Sequence, residues 1–382
     1  MLATGICKLA LGSGRIVPLQ KTTMTCSWKD NWETAKKHFI GWWKHDDLIL
    51  CGTALPLAAP REPVADPGEA PDIAYFYTQP EWKARWNHHR LAHQTFPAEV
   101  LPVANTDIGP GSLALYMGGE AVLADDTVWY KPIIDPDDLE GSPPLRFDPE
   151  SPWWKIQEAT LNACAEPARG NYAVGCPDII ENIDIVAALR DPQPLLMDMI
   201  ERPAWVLEKV EEVNQAFFEA YDRVYDIIKM EDGSSVFGAF RLWGPGKVVK
   251  VQCDASAMFS PKMFDRFVTP ALTAQCEWLD CSMFHLDGHQ CIPHLDLLLE
   301  IEPLDAIEWT PDPQVPSGGS PAWYPMYRKI LAAGKSVQAI GVKPEEVLPL
   351  LDAVGGKGMY IMTAFYDEAH AEQLAKAVEP YR

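Results

Sequence analysis

The segment FHLDGHQCIPHLDLLLEIEPLDAIEWTP, Phe284 to Pro311, gathers three histidines, a cysteine and several carboxylates. Within it His285 and Asp287 are two positions apart. On a strand, residues i and i+2 point to the same side, so both side chains can reach one point. Gly288 then frees the backbone for a tight turn. That geometry suits a metal ion, or an acid–base pair in which Asp287 orients His285. The plain alternative is a buried His–Asp hydrogen bond that stabilises the end of a strand. His289, Cys291 and His294 follow in a loop and helix start, and His294 with Asp296 could cap that helix. HxDGHxCxxH matches no common structural zinc spacing. Upstream, Cys253 sits beside Asp254. A neighbouring carboxylate raises a thiol's pKa and disfavours an unaided nucleophile, and a metal would reverse that.

These residues need strands to carry them. From residue 98 onward, short apolar stretches alternate with helical ones. AEVLPVANTD and NYAVGCPD read as strands. KVVKVQCDAS, SMFHLDG, LDAIEWTPD, SVQAIGV and GMYIMTAF continue the series. Helices lie between them: a long one from about Ala204 to Lys229, then SPKMFDRFVTPALTAQCEWLD, SPAWYPMYRKILAAG and KPEEVLPLLDAVG. Strand–helix alternation with short connections predicts a parallel sheet. Seven or eight such units predict a (β/α)8 TIM barrel, with an open doubly wound sheet as the other arrangement. No G-x-G-x-x-G follows the first strand, which weakens a dinucleotide-binding reading. In a barrel the chemistry sits where strands end. The strands here end in Asn105 and Asp107, Cys253 and Asp254, His285 and Asp287, Glu308 and Trp309, and Thr363. Trp129 and Trp243 lie near the same expected mouth, which suits a flat or methylated apolar ligand.

Before residue 98 the pattern differs. Residues 1–24 read as a disordered tail, with Met24 as a sensible alternative start. Residues 25–97 read as a helical extension holding SWKDNWETAKKHFIGWWKHD and PEWKARWNHHRLAHQT, and residues 98–382 as the barrel. His89 and His93 are helical i, i+4 neighbours with no third ligand nearby, which favours a solvated helix face.

Composition bounds the rest. The 382 residues are 47% hydrophobic with 14 Trp, enough for a large core. The formal net charge is -22. No Lys/Arg run offers a face to phosphates, so nucleic acid is not the expected partner. Such a field also repels polyanions unless local arginines reverse it. The nine cysteines form no CxxC pair, which reads as a reduced, cytoplasmic protein. No apolar run reaches the ~18 residues expected of a membrane helix.

CPDIIENIDIVAALRDPQPLLMDMIERPAWVLEKVEEV, CDASAMFSPKMFDRFVTPAL and FHLDG…HLDLLLEIEPLDAIEWTPD together resemble the uroporphyrinogen decarboxylase superfamily, over about residues 98–380. The resemblance implies a TIM barrel. It also implies one of two activities. The decarboxylases proper need no cofactor and carry R-Q-A-G-R-Y; this chain has WNHHRLAHQTFPAEV in that region. The corrinoid-linked methyltransferases carry H-x-C-G at a strand end and a later Cys, which together hold zinc. Here the motif is HLDG: His285 matches, Asp287 stands in place of the Cys, and no Cys follows Cys291.

The expectations are therefore as follows. The chain transfers a methyl group between a small methylated compound and a corrinoid carried by a separate protein. Cofactor-independent decarboxylation and non-catalytic small-molecule binding are the alternatives. His285, Asp287 and Asp254 do the chemistry. Trp129, Trp243, Trp309, Asn105 and Thr363 line the substrate site. His285, Asp287 and Cys253 hold a metal, with zinc the expected ion. Relatives of this kind are sometimes homodimers, a state that no patch in the sequence selects.

Overall fold

The computed structural model of the protein describes residues 26–124, 127–135, 138–139 and 141–382. The tail expected over residues 1–24 lies outside them. The strands that carry the site are β1 (Ile49–Cys51), β2 (Val103–Ala104), β3 (Ala173–Cys176), β4 (Ser235–Phe237), β5 (Leu242–Gly244), β6 (Val248–Gln252), β7 (Cys281–Asp287), β8 (Ala306–Thr310), β9 (Ser336–Ala339) and β10 (Met359–Met362). Six form a parallel sheet in the order β1-β10-β9-β8-β7-β6. A smaller sheet runs β2-β3-β4-β5, parallel except for the β4–β5 hairpin. The architecture is thus α/β with mostly parallel strands, as the alternation predicts. Two details refine this. Among the described residues no ladder joins the two sheets into a closed ring. And β1, which pairs with β10, comes from the stretch 25–97 expected to be a helical extension.

The register explains the sheet's two faces. Gln252, His285, Glu308, Gln338 and Tyr360 are in register across five neighbouring strands. Val251, Phe284, Ile307, Val337 and Met359 form the next row. Side chains alternate along a strand, so one face presents the polar row and the other the apolar row. The apolar face is covered by helices: Phe284 meets Phe264 edge to face, ring centroids 6.2 Å apart. Each such side chain contributes about 1.5–3 kcal/mol by leaving water. The polar face looks toward the smaller sheet. Gln338 Nε2 donates to Phe240 O at 2.9 Å, and the Tyr360 hydroxyl to Arg241 O at 3.0 Å. Both bonds hold the β4–β5 turn over the strand ends.

The helices follow their sequence signals. The long one runs Pro203–Ile228. The stretch expected as one helix after Ser260 is broken into Pro261–Phe267 and Thr269–Trp278. Pro270 explains the break: it has no N–H to donate to the Arg266 carbonyl, and its ring crowds that carbonyl. No described helix is long and apolar enough to cross a membrane. The eight described cysteines are all free and buried.

Candidate active site

His285 stands at the centre of the polar row. Its Nδ1 bonds Glu308 Oε2, and Glu308 is fully buried. The other Glu308 oxygen accepts from the Thr310 hydroxyl at 2.6 Å. Burial works against a charge on His285, but the Glu308 carboxylate outweighs it and holds the imidazole above its usual range. With Nδ1 taken, Nε2 is the nitrogen left to meet a ligand. A carboxylate behind a histidine is the arrangement that fixes the tautomer and orientation of a metal-binding imidazole.

Two carboxylates meet His285 from the strand ends. One ligand atom each from Asp254, His285 and Asp287 lie within 4.8 Å of one another. Asp287 continues the inward phase of β7, two residues beyond His285. Asp254 follows β6, two residues beyond Gln252. Asp184, in the first turn of the helix Asn182–Arg190, pins that turn. It accepts from Asp254 N at 2.8 Å, Ala255 N at 2.9 Å and Gln252 Nε2 at 3.0 Å. Enclosure first, then the Asp184 charge, push Asp254 up to about 7, against the pull of His285 and Lys250.

Beneath the triad lies a second charged layer. Lys250 is buried, its Nζ 2.9 Å from Asp178 Oδ1 and bonded to Gln252 Oε1. Burial opposes its charge, yet Asp178 and Glu181 hold it above the usual lysine range. Glu181 is fully buried; one oxygen accepts from Gln252 N at 2.6 Å and the other has no hydrogen-bond partner among the described residues. Burial, only partly offset by Lys250, raises it to about 8. Ile180 and Asn182 flank it at φ 52° and 58°. A β-branched residue at positive φ is strained, and such strain costs of order 1–3 kcal/mol. The turn CPDIIEN keeps it while presenting Asp178 and Glu181 to Lys250.

The structure brings together some of the expected residues and separates others. Asp254, His285 and Asp287 converge. Trp129 is 65% exposed and, with Asp254 and Met258, lines a cavity of about 500 Å³. Asn105 lines a different cavity, at the ends of β2 and β3. The Thr363 hydroxyl is buried without a hydrogen-bond partner among the described residues, and its N–H donates to Cys51 O at 2.9 Å. Trp309 is a correction. It lies one position from Glu308, hence on the helix-covered face, fully buried with its ring centroid 4.7 Å from that of Trp323. Trp243 is a second: it is buried against Trp32 and Phe39. Cys253 is a third. It is out of phase with Gln252 and Asp254, buried, and its thiol is pushed well above the usual range by burial and then Asp184. Asp254 takes the place in the triad expected for it.

The other residues of the opening segment are structural. His294 is buried and bonds Ser256 O at 2.9 Å. Cys291 accepts from the Ser256 hydroxyl at 3.4 Å. His289 pairs at the surface with Asp312, 2.7 Å away. The His89 and His93 rings lie 4.3 Å apart and tilted by 48°, and His93 Nδ1 bonds His89 O at 2.7 Å. Lys250, Asp178, Glu181 and Asp184 had escaped the sequence reading. Period two along VVKVQCD would have put Lys250 in phase with Gln252 and Asp254.

The triad fits a divalent cation. One imidazole and two carboxylates give an N/O set with positions left open for water or substrate, as in catalytic rather than structural sites. It does not fit a thiolate-rich zinc site, because Cys253 and Cys291 are not in it.

No protein-family model matches the sequence, and no curated protein matches it. Among solved structures, a methyltransferase from Methanosarcina mazei superposes with a TM-score of 0.60 at 11% identity, over 91% of this chain and 98% of that one. At that identity the likeness is one of fold.

Proposed function

We propose that this protein is a methyltransferase that moves a methyl group between a small methylated compound and a corrinoid held by a separate protein. The two sheets are read as parts of one (β/α)8 barrel, with the site at the strand ends. The observation that carries the reading is the convergence of Asp254, His285 and Asp287 on one point. The fold shared with the methyltransferase from Methanosarcina mazei supports it.

Asp254, His285 and Asp287 would hold a divalent metal, zinc being the expected ion; when bound, it supplies Lewis acidity toward a substrate heteroatom. The protein's own groups do the rest. Glu308 fixes the His285 ring and keeps Nε2 directed at the ligand point. Asp184 holds the backbone that carries Asp254. The exposed Trp129 and Met258 rim the cavity beside Asp254 and offer an apolar surface to a methyl-bearing substrate and to the partner. Lys250 offsets part of the negative charge beneath the site.

One observation favours a second reading. Asp254, raised to about 7, stands beside a histidine also raised, so the two could trade a proton near neutral pH without a metal. That is what a cofactor-independent decarboxylase of a small carboxylate needs. The test supplies methylated amines, thiols and methoxy compounds with cob(I)alamin and follows the corrinoid spectrum, beside metal content by mass spectrometry for wild type and His285→Ala. Methyl transfer predicts conversion to methylcobalamin and stoichiometric metal lost in the variant. Release of CO₂ from an acid without any cofactor would replace this reading with the second. Ligand binding without either turnover would make the protein a binder.

A further inference from the structure

The cavity that Asn105 lines lies at the ends of β2, β3 and β4, has a volume of about 370 Å³, and is faced by two arginines, Arg90 and Arg241. Arg90 comes from the helix Pro80–Ala92 and Arg241 from the β4–β5 turn. The chain has 54 acidic and 32 basic residues. Among the described arginines that are not exposed, Arg61, Arg190 and Arg382 each have a carboxylate within ion-pair distance, and Arg90 and Arg241 do not. Their fixed bonds go to neutral groups. Arg90 Nη2 donates to Val103 O at 2.9 Å and to Asn87 Oδ1 at 3.3 Å, and Nη1 to Gln94 Oε1 at 3.3 Å. Arg241 Nη1 donates to Gly52 O. Arg90 Nε is buried and has no hydrogen-bond partner among the described residues. A buried donor without a partner costs about 1–3 kcal/mol.

The two guanidinium groups also feel each other. Burial, and then the Arg241 charge, hold Arg90 below the usual arginine range. Like charges side by side destabilise a fold, and arginine cannot shed its proton to relieve them. Arg241 adopts φ 52° to stand there, held through its backbone carbonyl by Tyr360. The one carboxylate in the cavity, Asp107, is already bound by the Asp178 N–H at 2.7 Å. The remaining wall sets carbon from Trp86, Phe96 and Leu101 beside the polar Gln94, Asn105 and Thr106.

We propose that Arg90 and Arg241 bind the carboxylate of a small organic acid, whose carbon skeleton fills the apolar part of this cavity. Paired guanidinium forks match a planar carboxylate, and a bound carboxylate offsets the repulsion between them. The cavity is one residue away from the triad: the Phe240 ring, next in sequence to Arg241, lies 4.9 Å from that of His285. The inference does not rest on methyl transfer, because it is read by binding alone.

The experiment is calorimetry and thermal shift on the full chain at constant ionic strength. The probes are short straight-chain mono- and dicarboxylates from acetate to adipate, with inorganic phosphate beside them. At least one carboxylate should bind saturably, and Arg241→Gln and Arg90→Lys should each weaken it at least about tenfold, the loss expected when a bidentate contact is broken. The unliganded melting temperature controls for folding. Should Arg241→Gln fail to fold, Arg90→Lys decides, since it keeps the charge while losing the fork, and its unliganded melting temperature reports the lost bonds to Val103, Asn87 and Gln94. Three results would overturn the proposal: no carboxylate binds the wild type, phosphate binds as tightly as the best carboxylate, or folded variants bind as the wild type does.

Discussion

Replacing Glu181 with Gln should change stability in opposite directions at low and high pH. Glu181 is fully buried and raised from the ordinary carboxyl value to about 8. A group whose folded-state pKa lies above its unfolded one binds its proton more tightly when folded. Its contribution to stability is fully present below about pH 4 and is lost as pH rises toward 8. The full span corresponds to at most ~5 kcal/mol at 1.36 kcal/mol per pH unit. Glutamine cannot ionise, so the variant escapes that loss. It keeps the oxygen that accepts from Gln252 N, but sets an amide N–H₂ where the other oxygen now has no partner. An unmet buried donor costs about 1–3 kcal/mol. Glu181→Gln should therefore be less stable than wild type by about 1–3 kcal/mol at pH 4, and more stable by about 2–4 kcal/mol at pH 8.5. Urea unfolding at the two pH values measures this. A stability difference of one sign and one size at both would refute the account of Glu181 as a carboxylate raised by burial.

The remaining predictions concern the triad and its surroundings. Asp254 must lose a proton near pH 7 before it can ligate, so divalent-metal affinity should be at least about tenfold weaker at pH 6 than at pH 8, measured by calorimetry, and Asp254→Asn should lower affinity and flatten that dependence. Cys253→Ser should leave metal stoichiometry unchanged; loss of the metal in the folded variant would restore the thiol as a ligand. Trp309→Ala should destabilise by about 3–5 kcal/mol, since a fully buried indole is removed, whereas Trp129→Ala should change stability by about 0.5 kcal/mol or less and weaken substrate binding.

Much of the fold was legible because it rests on local pattern. Apolar runs such as VVKVQ and MYIM, set between amphipathic helices, announce parallel strands. His285 and Asp287 were legible for the same reason: their shared face follows from period two within one strand. What was not legible depends on register between strands far apart in sequence. Trp309 and Cys253 looked like site residues because they end strands. Only the pairing of His285 with Glu308 and Gln252 reveals that both point the other way. The edge strand β1 is three residues long and sits among helices, too short to stand out. The arginine pair lies on a helix and a turn 151 positions apart (241 − 90), and no spacing rule joins them. Glu308 was seen as a strand end, but its role behind His285 needs the neighbouring strand.

The pairing of β1 with β10 has a consequence for how the chain is made. β1 is stitched to the far end of the sequence, and Trp42, just before it, donates to Gly358 O across 316 positions. During synthesis the apolar Ile49–Cys51 edge emerges about 310 residues (359 − 49) before its partner strand, Met359–Met362. At ~5–20 residues per second, the nascent chain would carry that unpaired edge for roughly 15–60 seconds. Closing so distant a contact is also entropically slow. Completion of the large sheet should thus wait until Met359–Met362 has emerged, with the early segment a natural client for a chaperone that holds exposed strand edges. The smaller sheet and the long helix Pro203–Ile228 use contacts nearer in sequence, and can form while the ribosome is still working.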